Sequence, residues 1–189
     1  MIKIFVIIGS IRPNRFGDKP AQWIVEALKK QQDVEVELID IRELQLPMFD
    51  EPVSPASNKG EYVHPEGVAW AKKVAEADGF VIVTPEYNHG YPPSLKNALD
   101  YVYYGWNKKP VGFVSYGGIS GGIRAVQQLR QVVIELQMVP IRGGVYIPFF
   151  RKLLDEEGAF HSETLVPQAE PMIEQLLWWA KVLKKAREA

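Results

Sequence analysis

Residues 2–17 read IKIFVIIGSIRPNRFG, and this segment decides the fold of the chain. Its apolar run, interrupted only by Lys3, predicts a strand buried inside a parallel sheet. A short polar loop follows, and a helical pattern begins near Asp18. A strand that leads through a small loop into a helix forms an anion site, because the first amides of the helix lack internal partners and its dipole favours negative charge.

The side chains of this loop suit a phosphate group. Gly9 allows close approach of the backbone, Ser10 offers a hydroxyl, and Arg12 and Arg15 offer planar guanidinium groups. Neither the G-x-G-x-x-G dinucleotide motif nor the G-x-x-x-x-G-K NTPase motif is present. We therefore interpret the loop as the seat of the terminal phosphate of a mononucleotide cofactor. The alternative is an ordinary strand-to-helix connection with two solvated arginines.

Composition narrows the possible functions. The chain has 189 residues, 47% hydrophobic residues, and 22 Lys+Arg against 23 Asp+Glu, so no general field attracts nucleic acid or an anionic membrane. The absence of cysteine excludes disulfides, thiolate metal sites and cysteine catalysis. Three scattered histidines give no pattern for a metal site. With neither a signal peptide nor a membrane span in the pattern, we expect a cytoplasmic protein.

Strand and helix patterns alternate along the whole chain. Five strands and five helices predict a single α/β domain over residues 1–189, a three-layer sandwich with helices on both faces of a parallel sheet. The flavodoxin-like strand order 2-1-3-4-5 brings the loops after strands one, three and four to one edge, where ligands bind. The strands are predicted at residues 2–8, 34–39, 79–84, 111–115 and 140–146. Asp18 and Ser94 are predicted to cap helices, the second of them ending at Gly105.

Two further segments complete the predicted site. The third strand leads into Pro85-Glu86-Tyr87-Asn88, and the fourth leads from Ser115 into Tyr116-Gly117-Gly118. Pro85 shapes a bend, which leaves the amides of Glu86, Tyr87 and Asn88 to face a ligand. The proline-rich connection over residues 42–65 is long enough to predict an ordered loop near a site or an interface.

These motifs together resemble the NADPH-dependent FMN reductase family, which includes quinone, azo-dye and chromate reductases of flavodoxin-like fold. The resemblance rests on three segments and extends in order and spacing over nearly the whole chain. They are Gly9-Ser10-Ile11-Arg12 through Arg15 and Gly17, then Thr84 to Asn88, then Gly117-Gly118-x-x-Gly121-Gly122. Many members carry a second serine and an asparagine where this chain has Asn14, Arg15 and Phe16.

The resemblance implies FMN at the edge of a homodimer, reduction by NAD(P)H and reoxidation by a second substrate. The flavin ring carries the chemistry, so no catalytic residue is expected, and Glu86 is interpreted as a cap or an ion-pair partner. Tyr87 is implied to lie beside the flavin. The implied cofactor-binding residues are Ser10, Arg12, Arg15, Phe16 and Gly17 at the phosphate, and Pro85, Glu86, Tyr87, Asn88, Ser115, Tyr116, Gly117 and Gly118 at the ring.

We expect an FMN-dependent NAD(P)H oxidoreductase with ping-pong turnover and a small-molecule acceptor such as a quinone, an azo compound or free flavin. A flavodoxin-type electron carrier and a nucleotide-binding sensor are the alternatives, although carriers are usually strongly acidic. Two or more aromatic side chains between Tyr101 and Trp106 are expected at the surface, which agrees with a homodimer or a tetramer. Trp178 and Trp179 cannot both face the core. The acceptor and the choice between NADPH and NADH stay open.

Overall fold

The five predicted strands form one parallel sheet in the computed structural model, which describes residues 1–189. The strand order is β2-β1-β3-β4-β5, as predicted, with β2 and β5 at the edges. All neighbours are parallel, so the carboxyl ends of all five strands share one edge of the sheet. The strands are β1 Ile2–Ile8, β2 Val34–Asp40, β3 Gly79–Pro85, β4 Pro110–Tyr116 and β5 Val139–Ile147.

Five α-helices cover the two faces of the sheet. One apolar cluster packs α1 and α5 against the sheet, and a second packs α2, α3 and α4 against the opposite face. This is the predicted three-layer, flavodoxin-like arrangement. The helices are α1 Asp18–Lys29, α2 Pro65–Ala75, α3 Pro93–Asp100, α4 Ile123–Glu135 and α5 Val166–Glu188. No helix combines the length and apolarity that crossing a bilayer requires.

Three predictions about helix ends are wrong. Asp18 is the first residue of α1 rather than its cap, and its carboxylate accepts a hydrogen bond from Arg15. Ser94 lies inside α3, which begins after Pro92, and its hydroxyl donates to the carbonyl of Gly9 at 3.0 Å. Helix α3 ends at Asp100 rather than at Gly105. Near its end, the Trp106 indole donates to the Leu99 carbonyl, so a side chain satisfies a carbonyl that a longer helix would have bonded.

The aromatic side chains divide differently from the prediction. Tyr101 and Trp106 are buried, Tyr103 is half-buried, and only Tyr104 is exposed, at 63%. On α5, Trp178 is exposed and Trp179 packs partly against the core, which confirms that the two rings do not share one face. The exposed aromatic surface is therefore smaller than the sequence suggested.

The connection between β2 and α2 is ordered along its first half, as expected. The amide of Phe49 donates to the side chain of Asn97 at 2.8 Å, and Asn97 donates to the carbonyl of Pro47 at 2.8 Å. The Phe49 ring also lies 5.2 Å from the ring of Tyr101. These contacts hold the connection against α3, beside the carboxyl edge of the sheet.

Candidate functional site

Three loops meet at the carboxyl edge of the sheet and surround a cavity of about 520 Å³. They follow β1, β3 and β4, which are adjacent in the sheet. The register places Ile8 beside Val83 and Pro85 beside Tyr116, so the three loops begin at nearly the same height. Open α/β sheets bind ligands at this edge, at the switch point where the strand order reverses.

The loop after β1 presents a row of backbone amides without protein acceptors. The amides of Ser10, Ile11, Asn14, Arg15 and Phe16 donate to no group in the protein, and the amide of Arg12 reaches only the Ser10 hydroxyl at 3.3 Å. Gly9 is required because a Cβ there would lie 2.9 Å from the Leu95 side chain and 3.3 Å from the Val83 carbonyl. This tight packing holds the loop against β3 and leaves its amides available to an anion.

The two arginines of this loop have different surroundings. The side chain of Arg15 is buried, and its guanidinium donates to the Ser10 carbonyl, to both carboxylate oxygens of Asp40 and to Asp18. These contacts use four of its five N–H groups. The guanidinium of Arg12 donates to no acceptor in the protein and lies 5.8 Å from the centre of the Tyr87 ring. Arg12 is therefore the arginine with free donors at the cavity.

The Arg15 contacts change the ionisation of Asp40. Burial alone would raise the pKa of this carboxyl group, but hydrogen bonds from the Arg15 side chain and the Arg42 amide outweigh burial and lower it. Asp40 therefore stays ionised and paired, and it joins the end of β2 to the loop after β1.

Aromatic side chains form the floor of the cavity on the side of α1. The ring of Phe16 is buried and lies 5.1 Å from Tyr116, 4.6 Å from Phe150 and 5.4 Å from Phe160. Gly17 faces the Tyr116 hydroxyl so closely that a Cβ would lie 2.8 Å from it. Burial raises the pKa of this hydroxyl, so Tyr116 is neutral at physiological pH and adds no charge to the cavity.

The loop after β3 contains a tight turn over Asn88 and His89. Both residues have positive φ, at 49° and 72°, and the flanking Tyr87 and Gly90 exchange two backbone hydrogen bonds. This pattern is that of a two-residue type I′ turn. The expectation that three amides of this loop are free is wrong for two of them, because the Glu86 amide donates to the Tyr116 carbonyl and the Tyr87 amide to the Gly90 carbonyl. Only the Asn88 amide lacks a protein acceptor.

Glu86 joins the loops after β3 and β4. Its carboxylate, 7% exposed, accepts hydrogen bonds from the Ser120 hydroxyl at 2.7 Å and from the Arg124 amide in the first turn of α4. The Arg124 side chain forms an ion pair with it, with Nε 2.7 Å from Oε1, and also contacts His89. The interpretation of Glu86 as a cap and an ion-pair partner is confirmed.

The loop after β4 is built from glycines that lie against backbone. A Cβ on Gly117 would lie 3.2 Å from the Gly122 amide, whereas a Cβ on Gly118 would meet nothing within 4 Å and would point into open space. Ser115 is fully buried, and its hydroxyl donates to the Gly121 carbonyl at 2.8 Å. This hydrogen bond from Ser115 thus holds the loop in shape from its buried side.

A hydrogen bond also joins the first two loops. The hydroxyls of Ser10 and Tyr87 lie 2.8 Å apart. Tyr87 is in addition the side chain that Arg12 covers. The three loops are therefore linked in series, first to second through Ser10 and second to third through Glu86.

Most of the predicted site residues line the cavity. The structure brings ten of them together there: Ser10, Arg12, Arg15, Phe16, Pro85, Glu86, Tyr87, Tyr116, Gly117 and Gly118. Gly17, Asn88 and Ser115 lie behind or beside the lining. The sequence analysis missed six lining residues, which are Pro13, Asn14, Lys19, Phe150, Arg151 and Leu154. The last three follow β5, whose carboxyl end reaches the same edge, and that shared edge was the available signal.

Comparison with known proteins agrees with this architecture. Residues 2–152 match the family model described as NADPH-dependent FMN reductase. An NAD(P)H-dependent FMN reductase of Schizosaccharomyces pombe is 42% identical over 148 residues, which cover 77% of this chain and 74% of that protein. The NAD(P)H-dependent FMN reductase LOT6 of Saccharomyces cerevisiae is 33% identical over 186 residues and 93% of each chain.

A solved structure shows the same fold. FerB, a flavoenzyme NAD(P)H:(acceptor) oxidoreductase from Paracoccus denitrificans, superposes with a TM-score of 0.73 at 20% identity, covering 96% of this chain and 98% of that chain. The strand order, the three converging loops and the match over residues 2–152 lead to one assignment. The chain belongs to the NADPH-dependent FMN reductase family, a family of oxidoreductases.

Proposed function

We propose that residues 1–189 act as one cytoplasmic FMN-binding domain that oxidises NAD(P)H and reduces a small-molecule acceptor by a ping-pong mechanism. The observation that carries this proposal is the row of unpaired amides after β1, which opens beside a glycine-lined slot between the other two loops. FMN combines a phosphate with a flat ring, and these two parts of the cavity match those two parts of the molecule.

The phosphate end of the cavity has the charge that a phosphate needs. Arg12, Lys19 and Arg151 are among the residues that line the cavity, and the single acidic side chain of the lining, Glu86, is already paired with Arg124. The free amides add hydrogen-bond donors that a phosphate oxygen can accept, each contributing about 1.5–3 kcal/mol as a bond to a charged group. We propose that Arg12 and these amides bind the phosphate, and that Arg15 holds the loop in shape.

The ring end of the cavity has space and donors. The amides of Asn88, Gly118 and Ile119 have no protein acceptors, and the open space above Gly118 admits a planar group. When bound, FMN would supply the redox chemistry, accepting a hydride from NAD(P)H and returning two electrons to the acceptor, with protons from solvent. The protein binds and orients the ring, and its free amides favour the negative charge that reduction places at the pyrimidine edge.

The proposal is tested by anaerobic stopped-flow absorbance of the FMN-loaded protein. We expect NADPH or NADH to bleach the flavin band and a subsequent quinone to restore it, in two separable phases. If FMN binds but neither nucleotide bleaches it, the protein is an electron carrier rather than an enzyme. Failure to bind FMN would contradict the cofactor assignment and favour a sensor of another nucleotide.

We expect Arg12→Ala to weaken FMN binding by about 10- to 100-fold, because one charged donor pair to the phosphate is lost. The melting temperature of the FMN-free protein should change little, since the Arg12 side chain makes no hydrogen bond within the protein and only lies over the Tyr87 ring. Fluorescence titration of FMN measures the affinity. Arg142→Ala, an exposed arginine on β5 far from the cavity, is the matched control. Equal affinity in both variants would exclude Arg12 from the phosphate site.

The expected homodimer or tetramer stays a prediction. Tyr104 and Trp178 are exposed aromatic side chains that an interface would cover. Sedimentation velocity of the FMN-loaded protein measures the oligomeric state, and a monomer at micromolar concentration would contradict the prediction.

A further inference from the structure

A second cavity lies on the other side of Tyr87 from the first. It has a volume of about 490 Å³ and lies between the segment after β2 and the first turns of α3. Arg12 and Tyr87 line both cavities, so they form the wall between them. A molecule whose reactive end reaches the first cavity past Tyr87 could place its other end in the second.

The second cavity joins an apolar surface to arginine side chains. Ile11, Leu46, Met48 and Ala98 supply the apolar part, and Ile11 and Met48 are exposed, the latter at 74%. The polar side chains from α3 are already occupied, because Ser94 donates to the Gly9 carbonyl and Asn97 bonds to the segment after β2. Gln45 also lines the cavity, so binding there depends on the apolar surface, on the arginines and on this one amide side chain.

Arg42 is the arginine that belongs to this cavity alone. Its Nη2 donates to the Arg12 carbonyl at 2.8 Å, and its other guanidinium N–H groups have no acceptor in the protein. The nearest acid at the end of β2, Asp40, is held by Arg15 and does not pair with the Arg42 side chain. Because Arg12 is proposed to bind the FMN phosphate, Arg42 is the guanidinium whose free donors face this apolar pocket.

We infer that this second cavity binds the adenosine end of NADPH and that Arg42 contacts its 2′-phosphate, which makes the enzyme selective for NADPH over NADH. The inference rests on the proposed function. An adenine ring matches the apolar surface, and a phosphate dianion matches a guanidinium with free, forked donors.

A binding experiment tests the assignment without turnover. Adenosine 2′,5′-bisphosphate and AMP are titrated calorimetrically into the FMN-loaded protein, and the two differ only in the 2′-phosphate. We expect the bisphosphate to bind about 10- to 100-fold more tightly than AMP, as one charged contact would give. Arg42→Ala should abolish that difference, Arg42→Lys should retain part of it, and Arg142→Ala should leave it unchanged. An unchanged difference in Arg42→Ala would overturn the inference.

Steady-state kinetics then show whether the anionic group that Arg42 contacts belongs to NADPH or to the electron acceptor. We expect Arg42→Ala to raise KM for NADPH by about tenfold or more, with much smaller changes in kcat and in KM for NADH. A raised KM for a sulfonated quinone with an unchanged KM for NADPH would assign the cavity to the acceptor and overturn the inference. Bleaching of the flavin by both nucleotides in every variant would show that the proposed function holds even where this inference fails.

Discussion

Replacing Gly122 with alanine is expected to lower the free energy of unfolding by about 2–6 kcal/mol and to weaken FMN binding strongly. Gly122 has φ of +85°, and a Cβ there would lie 2.8 Å from the Ser115 Cβ and 3.0 Å from the Tyr116 amide nitrogen. The left-handed conformation costs a non-glycine residue about 1–3 kcal/mol, and the collision with fixed neighbours costs about 1–3 kcal/mol more. Relief requires the loop over residues 117–122 to move, and this loop borders the proposed flavin slot.

Gly60→Ala is the matched control for this prediction. Gly60 has φ of +86°, almost the same as Gly122, but a Cβ there would meet nothing within 4 Å. Urea unfolding of both variants separates the conformational cost from the collision, and we expect Gly60→Ala to lose about 1–2 kcal/mol with unchanged FMN affinity. Equal losses in the two variants would show that the contact with Ser115 is unimportant.

Arg15→Ala is expected to lower the free energy of unfolding by about 2–4 kcal/mol. It should also weaken FMN binding, although most N–H groups of Arg15 bond to the protein and not to the ligand. The change leaves the Asp40 carboxylate without its ion-pair partner and frees the Ser10 carbonyl. Removing one member of a fully buried ion pair costs about 3–5 kcal/mol. The expected loss is smaller because the Asp40 side chain keeps 18% exposure.

The pH dependence of stability tests how much the Arg15–Asp40 ion pair contributes to the free energy of unfolding. The pKa of Asp40 is lower in the folded protein than in the unfolded chain, so the pair adds stability above the usual aspartate pKa, and this contribution is lost as the pH falls through the folded pKa. We expect urea unfolding from about pH 5 down to about pH 2 to show a smaller acid-side loss in Arg15→Ala. Asp40→Asn should show the same reduction. A wild-type slope in either variant would contradict this role.

The fold was predictable because its signals are local and repeated. Buried strands such as Ile2–Ile8 are continuous apolar runs, and the alternation of strands with helices leaves few topologies for a parallel sheet. Helix ends were less predictable because they depend on partners distant in the sequence. Ser94 resembles a helix cap in isolation, but its hydroxyl bonds to Gly9, which lies 85 residues earlier.

The candidate site was predictable at the level of loops and less so at the level of atoms. Strand order brings together the loops that carry Ser10, Tyr87 and Gly117, and the sequence motifs mark those loops. The sequence did not show that Arg15 pairs within the protein while Arg12 keeps its donors free, because this difference depends on the position of Asp40 at the end of β2. The occupied amide of Glu86 likewise depends on the register between β3 and β4. Both outcomes arise from contacts between a loop and the end of a strand that is distant in the sequence.

The serial links from Ser10 to Tyr87 and from Glu86 to Ser120 have a kinetic consequence. Loops that are already joined lose little conformational freedom when a ligand arrives, so most of the ordering cost is incurred when the chain folds. Such a site should capture its ligand in one concentration-dependent step, without a slower rearrangement afterwards. A loop motion that opens one wall must also break a link to the next, so the three walls should open as one cooperative unit.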